Sequence, residues 1–261
     1  MSIRVFEGFK FKPKGTYFYK LDPRVKMSFL IVYSILTLYF STVVPLSILF
    51  LFSVVIVVSN RVAKEWGRTL RAVALLSLVI FSFNLLFGAK GNKLNYASSM
   101  TLRFLTLTSF FSIFFLTTTP EELSEALLLI GIPYEYTFMF MMAMRFIPTL
   151  ARDFQTIIDA QRSRGLELEK GNFVQRARKL LPLLIPLIVL EIRRSVLIAE
   201  ALEARGFGTS AKRSTLKEYR LSKVDLYLLF LTITFATSLI LSSKLPPYSE
   251  IMNYRLPELV P

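Results

Sequence analysis

The chain has 261 residues, is 53% hydrophobic with a mean hydropathy of +0.51, and carries 32 Lys+Arg against 18 Asp+Glu, a formal net charge of +14. Such an oily and basic composition describes an integral membrane protein, and because the cations bracket the apolar runs instead of clustering on a soluble face, nucleic acid is not expected as a partner. Cysteine and histidine are both absent, which removes disulfides, thiolate and imidazole metal ligands, and the Cys-His and Ser-His-Asp nucleophiles, so neither a bound metal nor a cofactor is expected.

Residues 1–26 hold seven Lys/Arg and two acids, and the 34 residues of 27–60 hold no charge at all. As one helix that run would be about 51 Å long, well beyond a hydrocarbon core of roughly 30 Å. It is also too long for a cleaved signal and reads as retained membrane structure. Pro45 lies near its middle, so a hairpin of two short spans turning around 42–45 is expected, with the proline in a turn or first-turn position. The hairpin also puts the basic N-terminal segment and the loop 61–71, with Arg61, Lys64, Arg68 and Arg71 against Glu65, on one side of the membrane. At the head of the first span, Asp22 is read as an N-cap and Pro23 as the first helical residue, with Arg24 and Lys26 held at the headgroups.

Residues 72–89 form the third apolar run, 104–119 the fourth, with 94–102 extending it past Arg103, and 226–243 the last. Five spans result. An internal N-terminus places eleven Lys/Arg in short cytoplasmic segments against Lys90, Lys93 and Arg103 outside, in accord with the positive-inside rule. No Asp or Glu falls within these runs, which argues against a midplane proton or sodium relay.

About a hundred residues of amphipathic helix separate the fourth and fifth runs. Thr119-Pro120-Glu121-Glu122 is a helix start, with Thr as N-cap, Pro at the first position and Glu closing a capping box, and Gly131 is the stop. Two long patterns follow, 133–164, kinked at Pro148 and stopped by Gly165, and 172–205, bent near Pro182 and Pro186 and stopped by Gly206. The apolar stretch 180–190 is too short to span and is expected to be buried against the membrane region or to lie at the interface.

The two long helices end alike, in Ser163-Arg164-Gly165 and Ala204-Arg205-Gly206. One reading is local: a cation in a last turn suits the helix dipole, and glycine commonly ends helices. The other is functional, because an arginine at a helix tip offers a rigid fork of donors to carboxylates or carbonyls of a partner. With the Leu21-Asp22-Pro23-Arg24-Val25-Lys26 segment and the order of spans, these triplets make the chain resemble the transmembrane T component of the energy-coupling factor (ECF) transporters. Serine replaces the usual alanine in the first triplet.

The resemblance implies that Ser163, Arg164, Gly165 and Ala204, Arg205, Gly206 cap two coupling helices that seat in grooves of two ABC-type ATPase subunits. It further implies a small membrane-embedded substrate-binding S component as a partner. Four of the eight methionines, Met139, Met141, Met142 and Met144, fall within seven residues; they suit either adaptable core filling or a pliable surface for exchangeable partners, here the S component.

No enzyme signature is present. Gly206-Phe207-Gly208-Thr209-Ser210 lacks the preceding strand and the lysine of a phosphate-cradling loop, so ATP would be hydrolysed by other chains. A basic membrane insertase or assembly factor would use the same positive face, with Arg103 as its one candidate intramembrane residue. A membrane-bound transferase would want clustered acids, whereas Glu121, Glu122 and Glu125 read as a helix-dipole set.

The expected protein is an all-α integral membrane protein with about five transmembrane helices and a cytoplasmic domain of two long coupling helices. Its expected divisions are a membrane region at 1–119, a coupling region at 120–223, and a last span with its tail at 224–261. It would be a non-catalytic, multi-pass subunit of the cell membrane with a cytoplasmic N-terminus, surrounded by lipid bilayer.

Overall fold

A computed structural model of the chain describes residues 21–88, 92–166, 172–208, 222–245 and 248, with backbone alone for 173–177. The basic segment 1–20, Lys90, the Thr209-Ser210 pair and the tail 249–261 lie outside the described residues. Those described form helices joined by turns, with no strand among them. They are α1 (Pro23–Tyr39), α2 (Val43–Ser59), α3 (Ala63–Phe87), α4 (Lys93–Thr117), α5 (Pro120–Leu129), α6 (Tyr134–Ser163), α7 (Phe173–Ala204) and α8 (Lys223–Lys244). The chain divides into two compact units, one whose described parts fall within residues 12–137 and 219–261, the other within 138–218.

The first unit is a helical membrane bundle. Its uncharged N-terminal run does break as a hairpin: α1 ends at Tyr39, Phe40 turns extended, and α2 restarts at Val43 with Thr42 as N-cap. Pro45 is the third residue of α2, where its missing N–H is one that no intrahelical carbonyl would receive. Three helices, α3, α4 and α8, are long and apolar enough to cross a bilayer. Helices α1 and α2 have 17 residues each, about 26 Å, the short end of the spanning range.

Helix α4 is the central element, packed against α1, α2 and α3, while α8 lies along α1. It buries mainly small side chains, among them Ala97, Ser99, Thr106, Ser109 and Ser112, which let neighbouring backbones approach where lipid supplies no hydrophobic drive between helices. A hydroxyl relay stitches three helices together: Trp66 Nε1–H donates to Ser109 Oγ at 2.8 Å, and Ser109 donates to Ser53 Oγ at 2.8 Å. Beside it, the fully buried Tyr33 ring stacks on Phe52 and Phe110, with centroids 5.2 and 4.9 Å away.

Two sequence expectations change here. The segment 61–71 is a loop only as far as Val62, because α3 starts at Ala63 and carries Lys64, Glu65, Arg68 and Arg71 on its first turns. Lys26 is not at the headgroups. Its side chain is 1% exposed, and Nζ donates to the Thr117 carbonyl at 2.9 Å and to Glu122 Oε2 at 3.2 Å. A buried ammonium is tolerable only when it is so paired.

The same corner gathers three helix starts. Asp22 caps α1 by accepting Arg24 N–H at 2.9 Å, and its own N–H donates to Asp225 Oδ1 at 3.1 Å. Asp225 Oδ2 accepts the Ser222 N–H in the capping box of α8. Glu122, besides receiving Lys26, completes the capping box of α5 with Thr119. Ser124 then donates to the Thr137 carbonyl at 2.7 Å, anchoring the first turn of α6.

The second unit consists of α6 from Phe138 onward, α7 and the turns that follow each. Contacts among the described residues tie the helices in antiparallel order, including Gln161 to Pro182, Asp153 to Arg194, and Phe138 to Phe207. The first has a covalent cause. Pro186 has no N–H to give the carbonyl of Pro182 one turn back, and Gln161 Nε2–H supplies a donor at 3.4 Å.

Candidate functional site

Both Arg-Gly ends adopt the same backbone. Gly165 N–H donates to Arg162 O at 2.9 Å and Leu166 N–H to Gln161 O at 3.0 Å, while Gly206 N–H donates to Glu203 O at 2.8 Å and Phe207 N–H to Leu202 O at 2.9 Å. The paired 5→2 and 6→1 bonds are those of the Schellman motif, which needs a left-handed residue after the cap. The glycines supply it, with φ of 88° at Gly165 and 75° at Gly206. The two triplets therefore occupy equivalent positions: small residue in the last helical turn, arginine as C-cap, glycine as stop.

Ser163 fits the small-residue position because its hydroxyl turns back to Asp159 O at 3.0 Å. Arg164 and Arg205 are both exposed, and among the described residues neither guanidinium has a hydrogen-bond or ion-pair partner. A guanidinium keeps its charge at any physiological pH and presents five donors in a plane. Each tip is thus an unengaged fork beside a helix C-terminus whose free carbonyls favour cations.

Antiparallel pairing sets the tips at opposite ends of the α6–α7 pair. Midway stands a half-exposed ion pair, Arg194 Nη1 to Asp153 Oδ2 at 2.7 Å, with Glu191 Oε1 also 2.6 Å from the same nitrogen. The carboxylates of Asp153 and Glu191 beside it hold the Arg194 proton more tightly than usual. Asp153 precedes Arg164 by eleven positions and Arg194 precedes Arg205 by eleven, so each arm is about 17 Å long and the tips stand about 33 Å apart along the pair. Sequence reasoning passed over this bridge, because the pairing of two helices is set by long-range contacts that spacing along the chain does not reveal.

The four methionines lie in the first turns of α6, with Met139 58% exposed and Met141, Met142 and Met144 half-buried. At 100° per residue Met139 and Met142 share one side of the helix and Met141 and Met144 the opposite side, so they form a collar and not one stripe. The apolar stretch 180–190 proves largely exposed. Leu181, Ile185, Ile188 and Ile192 are each more than half exposed at helical spacing, while Leu183 and Leu187 on the other side are buried. The stretch, expected to be buried against the membrane region or to lie at the interface, is covered on one side and open on the other within its own unit, because an amphipathic helix flanked by a single partner covers a single face.

Arg103, on which the insertase reading leans, donates from Nη2 to the Phe40 carbonyl at 2.7 Å and to Ser41 Oγ at 3.3 Å. It caps the C-terminal end of α1 and holds the α1–α2 turn.

Known proteins bear on the same residues. The family CbiQ, described as cobalt transport protein, matches residues 15–216. The chain is 31% identical over 255 residues to the energy-coupling factor transporter transmembrane protein EcfT of Ruminiclostridium cellulolyticum, covering 89% of this chain and 95% of that one. It is 30% identical over 223 residues to the EcfT of Streptococcus thermophilus, covering 76% and 84%. Both triplets lie within the family match.

Proposed function

The chain belongs to the CbiQ cobalt transport protein family and is the EcfT-like transmembrane component of an ECF transporter, and from that premise we propose that it is the mechanical link between two ATPase subunits and a substrate-binding S component. The observation that carries the reading is the pair of identically capped arginine forks, exposed and unengaged, at opposite ends of one antiparallel helix pair. A pair of like docking tips is what two like ATPase subunits would require. Arg164 would dock in one groove and Arg205 in the other, each charge-assisted and bidentate.

In this reading the region 120–223 faces the cytoplasm, five helices (α1–α4 and α8) lie in the cell membrane, and the N-terminus is cytoplasmic. ATP-driven closure of the ATPase pair would displace the tips, and α6 and α7 would carry the displacement to the S component, reorienting it to release a vitamin or another micronutrient inside. The chain itself performs no catalysis; it converts one movement into another. Met139, Met141, Met142 and Met144, with the exposed apolar side of α7, are the surfaces offered to the S component, soft thioethers suiting partners of different shape.

Purification of the tagged chain in mild detergent, followed by mass spectrometry, tests the reading. Two Walker-motif ATPases and a small hydrophobic membrane protein are the expected companions. Ribosomal proteins in their place would establish the insertase reading instead.

A further inference from the structure

We propose that the Asp153–Arg194 ion pair, backed by Glu191, is a cross-brace that fixes the spacing of the two arginine tips, which makes Asp153 and Arg194 positioning residues for energy coupling. The inference rests on the proposed docking of the tips but concerns residues outside it. Three observations converge. Among the described residues this is the ion pair joining α6 to α7. It is equidistant from the two tips, eleven residues from each. Its arginine is held from two sides by carboxylates at 2.7 and 2.6 Å, the second, Glu191, one turn back on α7 itself.

That second contact gives the bridge direction. Glu191 on the same helix, hydrogen-bonded to Arg194 Nη1, limits the rotamers of Arg194, so the guanidinium reaches α6 in one orientation and the same Nη1 lies 2.7 Å from Asp153 Oδ2. Two further contacts between the helices among the described residues carry no charge: the Gln161 bond to Pro182 is long at 3.4 Å, and the Phe138–Phe207 rings stand 5.0 Å apart between centroids. On arms of about 17 Å, a change of 10° in the angle between the helices moves each tip by about 3 Å. That displacement exceeds the tolerance of a bidentate contact, so the brace decides whether both tips meet their grooves together.

Because the chain contains no cysteine, Arg162→Cys with Glu203→Cys places two spin labels near the tips, about 27 Å apart by helix rise. The distance is measured by pulsed electron resonance in the assembled transporter, with Asp153→Asn and with Arg194→Gln. Both neutral variants are expected to broaden the distance distribution, and to lower substrate uptake per ATP hydrolysed at least fivefold while ATPase subunits still co-purify. Arg194→Lys, which keeps the charge, is expected to recover most of the coupling ratio. An unchanged distribution with an unchanged ratio overturns the proposal, as does loss of the ATPases in both neutral variants, which would make the bridge a folding element. Failure of the docking reading is distinguishable, because it would appear as ATPase retention after loss of Arg164 and Arg205, whatever the spin labels report.

Discussion

Lys26 shows how much one residue can organise. Its ammonium is enclosed at 1% exposure, bonded to the last carbonyl of α4 and to the carboxylate that caps α5, so it joins three helix ends. Lys26→Met keeps the stem and removes the donor, leaving the Thr117 carbonyl and Glu122 without their partner. The expected loss is about 2 kcal/mol, read as a lower unfolding temperature in detergent, and Glu122→Gln added to it should cost little more. Additive losses would show that the two residues act separately. The sequence offered no route to this pair, since the partners lie 91 and 96 positions away and a cation beside Arg24 at the start of a span reads as a headgroup contact. Asp22, Thr119, Gly131, Gly165 and Gly206 were legible because each acts on backbone within five residues of itself, where composition and spacing carry the whole signal.

Helices were legible where length or chemistry left one solution. A 34-residue uncharged run cannot be a single span, and the break after Tyr39 follows. Boundaries were lost where the signal was only apolarity. Helix α3 continues nine residues ahead of its oily run, into Lys64, Arg68 and Arg71, because Ala, Lys, Glu and Arg are good helix formers that hydropathy ignores. In α6 the run of methionines resolves into two opposed pairs, which sharpens the partner hypothesis. A single S-component surface can meet one side of the helix, so Met139→Leu with Met142→Leu and Met141→Leu with Met144→Leu should not act alike. One double variant is expected to shift competition between S components at least twofold while the other does not, measured with two S components supplied together. Equal or absent effects would remove the methionine collar from the contact.

On the scale of the whole molecule, one unit is a bundle knotted by polar caps at Asp22, Lys26, Glu122 and Asp225, and the other is a pair of arms that end in identical tips. The arms and their Schellman ends could be read from sequence; their antiparallel order, equal length and cross-brace could not, because register between helices is set by long-range contacts. If the tips are the two docking elements, they should fail separately and then together. The most direct measurement is the number of ATPase subunits retained per chain after purification in mild detergent, for Arg164→Ala, Arg205→Ala and the double variant. Each single loss removes one charge-assisted contact, and a tenfold weaker association corresponds to about 1.4 kcal/mol. The account predicts partial retention in the single variants and complete loss of ATPases and of uptake in the double variant, with the S component still bound; full retention and full uptake in the double variant would contradict it.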